Sequence, residues 1–219
     1  MRKNVVMSIQ VKICGLKTAE AVDTAVNAGA DLVGFVFFKK TPRYVTPAVA
    51  GGLAGRVPVG VLKVGLTVDA TDDELAAITG NGAVDILQLH GHETPARVAE
   101  VRRRFGLPVM KALPIAEPAD VDAARAYEGV ADRLLFDAKP PKDAERPGGN
   151  ALAFDWGLLA GTRWNLPWLL AGGLTPDNVA AAIRVSGAPG VDVSSGVETA
   201  PGVKSADLID AFIKAAKGA

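Results

Sequence analysis

Val11-Lys12-Ile13-Cys14-Gly15 and, much further along, Leu134-Leu135-Phe136-Asp137 are the stretches around which the chain organises. Each is a short, mostly apolar run that ends in one reactive side chain. In a parallel α/β protein such strand ends converge on one face, where ligands bind. The functional reading therefore turns on whether the ends carrying Cys14 and Asp137 face each other.

Working outward, the pattern predicts strands over 9–13, 31–37, 61–68, 85–89, 107–112, 133–136, 168–171 and 190–193. The second of these, Asp31-Leu32-Val33-Gly34-Phe35-Val36-Phe37, is continuously apolar after its aspartate, which points to burial on both faces. Helix starts stand between the strands: Thr18, Thr46-Pro47, Asp69 to Asp72, Thr94-Pro95 and Thr175-Pro176-Asp177. Weaker or shorter helices are expected over 119–127 and from Phe154-Asp155-Trp156, and a last one over 205–216. Strand and helix thus alternate about eight times, at the pitch of βα units. The expected fold is α/β, a single (β/α)8 TIM barrel over 1–219, with 1–8 as an N-terminal extension. A doubly wound open sheet is the competing fold, disfavoured because no G-x-G-x-x-G follows the first strand.

Composition narrows the function. A chain of 219 residues suits one barrel, and an apolar share of 49% supplies its core. Zero formal net charge argues against a broad nucleic-acid surface, although not against a local anion pocket. One cysteine excludes an internal disulfide and a Cys-rich zinc site, and fits a cytoplasmic setting. No apolar run is long enough to span a bilayer. The N-terminus begins basic but Ser8, Gln10 and Lys12 interrupt its apolar residues, so no signal peptide is expected; Met7 is a candidate second start.

Several residues carry chemistry. Gly172-Gly173 after the seventh strand and Ser194-Ser195-Gly196 after the eighth are two donor-rich loops where barrels bind phosphate; the bland alternative is a pair of tight turns. Cys14 precedes a helix N-terminus and lies near Lys17, both of which favour a thiolate, a competent base; the alternative is a small buried hydrophobe. Asp137 at the mouth of an apolar strand is placed to keep a proton and donate it, unless it only caps a helix or pairs with Lys139 or Lys142. Arg43, beside Pro42 and Tyr44, can hold a carboxylate bidentately or be an ordinary surface charge. Gln88 and His90 end the fourth strand. His90 and His92 resemble a metal pair, but no acidic third ligand has suitable spacing, so no metal is expected.

In order, these motifs resemble the phosphoribosylanthranilate isomerase family. They are Val11 to Gly15, Gly34-Phe35-Val36-Phe37 with Thr41-Pro42-Arg43-Tyr44-Val45, Gln88-Leu89-His90-Gly91, Leu135-Phe136-Asp137, Gly148-Gly149, Phe154-Asp155-Trp156, Leu170-Ala171-Gly172-Gly173-Leu174, and Asp192-Val193-Ser194-Ser195-Gly196-Val197-Glu198. The resemblance covers nearly the whole chain. It implies a barrel using neither metal nor cofactor that converts N-(5-phosphoribosyl)anthranilate to 1-(2-carboxyphenylamino)-1-deoxyribulose 5-phosphate in tryptophan biosynthesis. It further implies Asp137 as general acid, Cys14 as general base and Arg43 as the anthranilate clamp. Gly172, Gly173, Ser194, Ser195 and Gly196 fall on the phosphate loops, and Asp192 on a further polar contact in the pocket. Gln88 and His90 match a motif without an assigned role. The implied partner is a phosphosugar, with no nucleic acid or membrane, and the chain a monomer or homodimer. One departure stands in the sixth loop, where relatives often read Gly-Gly-x-Gly: here Gly148-Gly149-Asn150 is followed by Ala151, which bears on the lid.

Three rivals remain in view. Another phosphosugar barrel, an epimerase or indole-glycerol-phosphate synthase, would use carboxylates with a metal or a lysine where this first strand ends in cysteine. A non-catalytic phosphate-ligand binder would keep Arg43 and the glycine loops without needing both Cys14 and Asp137. A redox sensor at Cys14 would lack a resolving cysteine in this chain.

Overall fold

Strands apolar on both faces need cover on both sides, and a barrel wrapped in helices provides it. The computed structural model describes residues 8–139 and 153–219. In it, β1 (Gln10–Cys14), β2 (Leu32–Val36), β3 (Leu62–Thr67), β4 (Ile86–Leu89), β5 (Val109–Ile115), β6 (Arg133–Ala138), β7 (Trp168–Leu170) and β8 (Gly190–Val193) close a barrel in chain order, every pairing parallel. The expected TIM barrel is what forms.

The helices between strands are α1 (Ala19–Asn27), α2 (Pro47–Ala54), α3 (Asp72–Thr79), α4 (Pro95–Phe105), α5 (Pro118–Ala124) and α6 (Val179–Ser186), with α7 (Ala206–Lys217) last. Their starts are chemical: Thr18, Thr46, Thr71, Thr94 and Ser205 each accept a backbone N–H of the first turn. Gly106, at φ 66°, ends α4 in the left-handed conformation.

Two local expectations shift, and one feature is added. The helix expected from Phe154 is a single 3-10 turn, Trp156–Leu159, opened by Asp155, whose carboxylate accepts from Gly157 N at 2.9 Å. The helix expected at Thr175 begins at Val179, because Asn178 ties down the preceding loop: its Oδ1 accepts from Thr175 N at 2.8 Å and its Nδ2 donates to Gly173 O at 2.9 Å. After β8 the chain adds a 3-10 turn and a hairpin of β9 (Glu198–Ala200) and β10 (Val203–Lys204). The sixth-loop lid, including Gly148, Gly149 and Ala151, lies outside the described residues, as does the extension through Met7.

Two apolar layers result. The larger lies between barrel and helices; the inner one comprises Leu32, Val64, Ile86, Met110, Ala112, Leu135, Leu169 and Ala171. The register explains the inner set. Val64 lies opposite Ile86, Ala112 opposite Leu135, and Leu135 opposite Leu169, so inward residues meet inward residues around the ring. Truncating this layer is costly: Met110→Ala should lower unfolding free energy by about 2–5 kcal/mol, while Val59→Ala, at a fully exposed site, should change it by less than about 0.5 kcal/mol. Urea unfolding of the two variants checks the contrast.

Candidate active site

The alternation that fills the barrel with aliphatic residues also aims polar ones into it. On β1 the inward positions are Lys12 and Cys14, two residues apart. Lys12 is fully buried and its ammonium donates to Asp192 Oδ1 of β8 at 2.9 Å. Cys14, 3% exposed, is the last residue of β1 rather than part of the loop after it. Its neighbour on β2 is Gly34, and the missing side chain makes the room. A Cβ on Gly34 would lie 2.9 Å from Cys14 Sγ and 3.3 Å from Lys12 Nζ. Ser194 Oγ donates to the Cys14 carbonyl at 3.2 Å and fixes the strand end.

Burial pushes the Cys14 thiol above the ordinary range, since a thiolate loses its water; Lys12 and Lys204 draw it down and Asp192 pushes it up. Burial also opposes the charge on Lys12, but Asp192 and Cys14 together hold its pKa above the ordinary lysine value. Lys17, expected to support the thiolate, instead donates to Pro42 O at 3.1 Å in the second loop. The helix starts where Thr18 predicted it, with α1 beginning at Ala19, five residues after Cys14.

Across the barrel, Asp137 lies within β6, one residue before its end. Its Oδ1 accepts from Ala138 N at 2.8 Å and its Oδ2 lies 3.3 Å from His90 Nε2. His90 follows β4, so this contact passes β5 and runs through the barrel mouth. Gln88 Nε2 lies 3.3 Å from His90 Nδ1, completing a Gln88–His90–Asp137 chain; Gln88 Oε1 is buried without a partner among the described residues. His92 turns away to Asp69, with Nδ1 at 3.1 Å from Oδ2. Among the described residues no group of three or more His, Cys, Asp or Glu side chains is placed to hold a metal ion.

Arg43 is buried, not a surface charge, and already has a carboxylate. Its Nε and Nη2 donate to Glu198 Oε1 and Oε2, both at 2.8 Å. Lys204 donates to Glu198 Oε1 at 2.9 Å and to Ser194 O at 2.8 Å. This pairing occupies the Nε side of the guanidinium and leaves its end-on edge, Nη1 with the second hydrogen of Nη2, for another oxyanion.

Loops seven and eight press together. Gly172 and Gly173 have φ of 85° and 61°, and a Cβ on Gly196 would fall 1.9 Å from Leu174 O. Ser195 and Gly196 open the 3-10 turn Ser195–Val197, whose first N–H groups have no acceptor inside it. Asp192 stands inside the barrel with Lys12 rather than at these loops.

The structure therefore gathers Cys14, Asp137, His90, Gln88 and Asp192 about the barrel mouth, with Arg43 and the glycine loops beside it. Sequence reading missed Lys12, Glu198 and Lys204. Lys12 was legible in principle, since it stands two residues before Cys14 and must share its face.

A closed (β/α)8 barrel with a thiol, a carboxyl–imidazole pair and a basic clamp at the C-terminal mouth of its strands defines an acid–base barrel enzyme. The model of the family described as N-(5'phosphoribosyl)anthranilate (PRA) isomerase matches residues 11–215. An N-(5'-phosphoribosyl)anthranilate isomerase of Paracoccus denitrificans is 62% identical over 207 residues, covering 94% of this chain and 96% of that protein. Two solved structures each share 34% identity at a TM-score of 0.82, covering 96% of this chain and 100% of theirs. One is a phosphoribosyl anthranilate isomerase in complex with reduced 1-(o-carboxyphenylamino)-1-deoxyribulose 5-phosphate; the other is described as mutually generated monomers of the dimeric enzyme from Thermotoga maritima. The chain belongs to the N-(5'-phosphoribosyl)anthranilate isomerase family and is an isomerase of tryptophan biosynthesis.

The Glu198 cluster is acid-sensitive. Burial works against the Glu198 charge, but Arg43 and Lys204 prevail and lower its pKa from 4.5 to about 2. A depressed carboxylate contributes stability that is complete above the unfolded value and is lost as pH falls through the folded one. The stability gap between the native chain and Glu198→Gln should therefore be full at neutral pH and shrink steadily from pH 4.5 toward about 2. Urea unfolding of both proteins across that range checks it.

Proposed function

We propose that the barrel mouth performs the Amadori rearrangement by dividing two proton transfers between Asp137 and Cys14. The observation that carries this reading is their placement on inward positions of β6 and β1 at one end of the barrel. Asp137 donates a proton to the ribose ring oxygen. The C1–O bond breaks, the anilino nitrogen lone pair forms C1=N, and the sugar opens to a protonated Schiff base. Cys14, as thiolate, takes the proton from C2; the C–H pair forms C1=C2 and the imine pair returns to nitrogen, giving the enolamine. Tautomerisation yields the aminoketose. Each step is a proton transfer that a positioned side chain can carry.

The ligand named for the solved relative carries a carboxyphenyl group and a phosphate. The end-on edge of Arg43 suits the carboxylate, with Glu198 and Lys204 holding the guanidinium in place. The paired loops Gly172-Gly173 and Ser194-Ser195-Gly196 suit the phosphate. Gln88 and His90 orient Asp137 through His90 Nε2. Asp192 contributes through Lys12 rather than by touching the ligand. No helix among the described residues is long and apolar enough to cross a membrane. A cytoplasmic setting and a monomeric or homodimeric state, the latter on the pattern of the Thermotoga maritima relative, complete the reading.

Cys14→Ser and Asp137→Asn should each lose most turnover, by about 100-fold or more, while still binding the reduced product analogue. The fluorescence decay of freshly generated N-(5'-phosphoribosyl)anthranilate, followed with chelator present, measures this. Turnover retained in either variant would overturn that residue's role, and loss of native activity with chelator would overturn the metal-independent mechanism.

A further inference from the structure

A fully buried lysine inside the barrel needs an explanation that packing does not supply. Lys12 occupies an inward position in register with Leu32 of the apolar layer, and with Asp192 on its other side. A leucine or methionine there would complete the layer without the cost of desolvating an ammonium. The long stem instead carries the charge out of that layer. Lys12 Nζ and Cys14 Sγ both stand around the space left open by Gly34, and Asp192 Oδ1 holds the ammonium from the far side at 2.9 Å.

We propose that Lys12 is a positioning residue for the isomerisation: its ammonium stabilises the Cys14 thiolate as proton acceptor, and Asp192 anchors that ammonium beside the sulfur. The inference rests on Cys14 being the base. A sulfur this buried has little water to stabilise its negative charge, and the fixed cation takes over that task. When C2 gives up its proton to the sulfur, Lys12 and Asp192 remain as a neutral pair, so the protonated site is not left with an uncompensated buried charge. The other charged groups around the thiol are Lys204 of β10, which also draws it toward the thiolate, and Glu198 and Arg43 beyond Lys204. On β2 its register partner is the uncharged Gly34, and from loop eight the neutral Ser194 hydroxyl bonds the Cys14 carbonyl. Lys204 is committed to Glu198 and to the Ser194 carbonyl, whereas Lys12 shares the space at Gly34 with the sulfur.

Cys14 is the only cysteine in the chain, so its ionisation can be read without substrate. The test is a pH titration of the 13Cβ resonance of cysteine-labelled full-length protein. It compares the native chain with Lys12→Met and with Lys12→Met/Asp192→Asn. The double variant removes the carboxylate that the single variant would leave buried and unpaired, and circular dichroism confirms that each folds. The thiol midpoint should rise by about one pH unit or more in both variants, and most in the single one. In parallel, kcat at neutral pH should fall at least about tenfold for such a rise, with KM changed much less and the rising limb of the kcat–pH profile displaced upward by the same amount. A folded double variant whose midpoint and pH profile coincide with those of the native chain would overturn the role of Lys12. If Cys14→Ser has lost turnover in that case, the isomerase mechanism stands and only Lys12's part falls. Turnover retained by Cys14→Ser would overturn the base on which the proposal rests.

Discussion

Closing eight parallel strands into a ring imposes one constraint on everything inside it: alternate residues of every strand must share a single narrow space. The lower levels satisfy this with Leu32, Val64, Ile86, Met110, Leu135 and Leu169. Toward the mouth the same positions become Cys14, Gly34, Gln88 and Asp137. On β4 and β6 the change from aliphatic to polar comes along the strand, two residues at a time, from Ile86 to Gln88 and from Leu135 to Asp137. The same alternation places Cys14 at the end of β1 and Asp137 one residue before the end of β6, with Lys12 one inward level below Cys14. A one-residue slip of any strand would send its functional side chain into the helix layer.

Two buried lysines show how differently this constraint can be met. Lys111 is one residue out of phase with Met110 and Ala112, so it enters the layer between barrel and helices. There its ammonium donates to Leu89 O at 3.3 Å, Gly91 O at 2.7 Å and Glu93 Oε2 at 2.7 Å. Glu93 in turn accepts from the N–H groups of Asp69 and Gly91. All three donors of that ammonium meet oxygen, and the cluster fastens the loops after β3 and β4 on either side of His90. That is a structural use of a charge. Lys12 has one carboxylate partner and a thiol close by, an arrangement poorer in oxygen and weaker as a contribution to stability. The contrast makes a chemical use of Lys12 the better account of its position.

The fold was legible because its signals are local. Apolar runs of strand length, threonine caps and prolines at first helical turns all depend on near neighbours, and the structure keeps them within a few residues. Boundaries moved for two different reasons: Asn178 holds loop seven through its own side chain and delays α6, and β6 runs on through Asp137 because Pro114 and Ile115 of the neighbouring strand pair with its last residues. The candidate site was legible to the extent that its reactive residues stood at or beside strand ends, as Cys14, Asp137 and His90 do. What stayed hidden were partnerships across the chain. Nothing near Arg43 announces Glu198, which is 155 residues away, and nothing near Lys12 announces Asp192, 180 away. Lys17 drew attention because it follows Cys14 in sequence, whereas inward parity selects Lys12. Lys12 was passed over as a polar interruption of an apolar run.

Those long-range pairs also set the charge and direction of the proposed carboxylate clamp. Arg43 and Lys204 converge on a single carboxylate, Glu198, so the cluster carries one positive charge in excess while all three are ionised. Glu198 does not cancel the clamp. It uses the Nε side of the guanidinium, and by doing so fixes the plane in which the end-on edge points. In the proposed reading, a carboxylate arriving there meets a cation whose rotamer is already set, so little side-chain entropy is lost on binding. A free arginine would be a stronger cation but a less directed one. Gly15, at φ 80°, lies directly beneath: a Cβ there would fall 2.7 Å from Arg43 Cδ. Gly15, the residue just after the Cys14 strand, is therefore shaped to seat the arginine, so one stretch of backbone sets both the Cys14 end of β1 and the proposed carboxylate clamp.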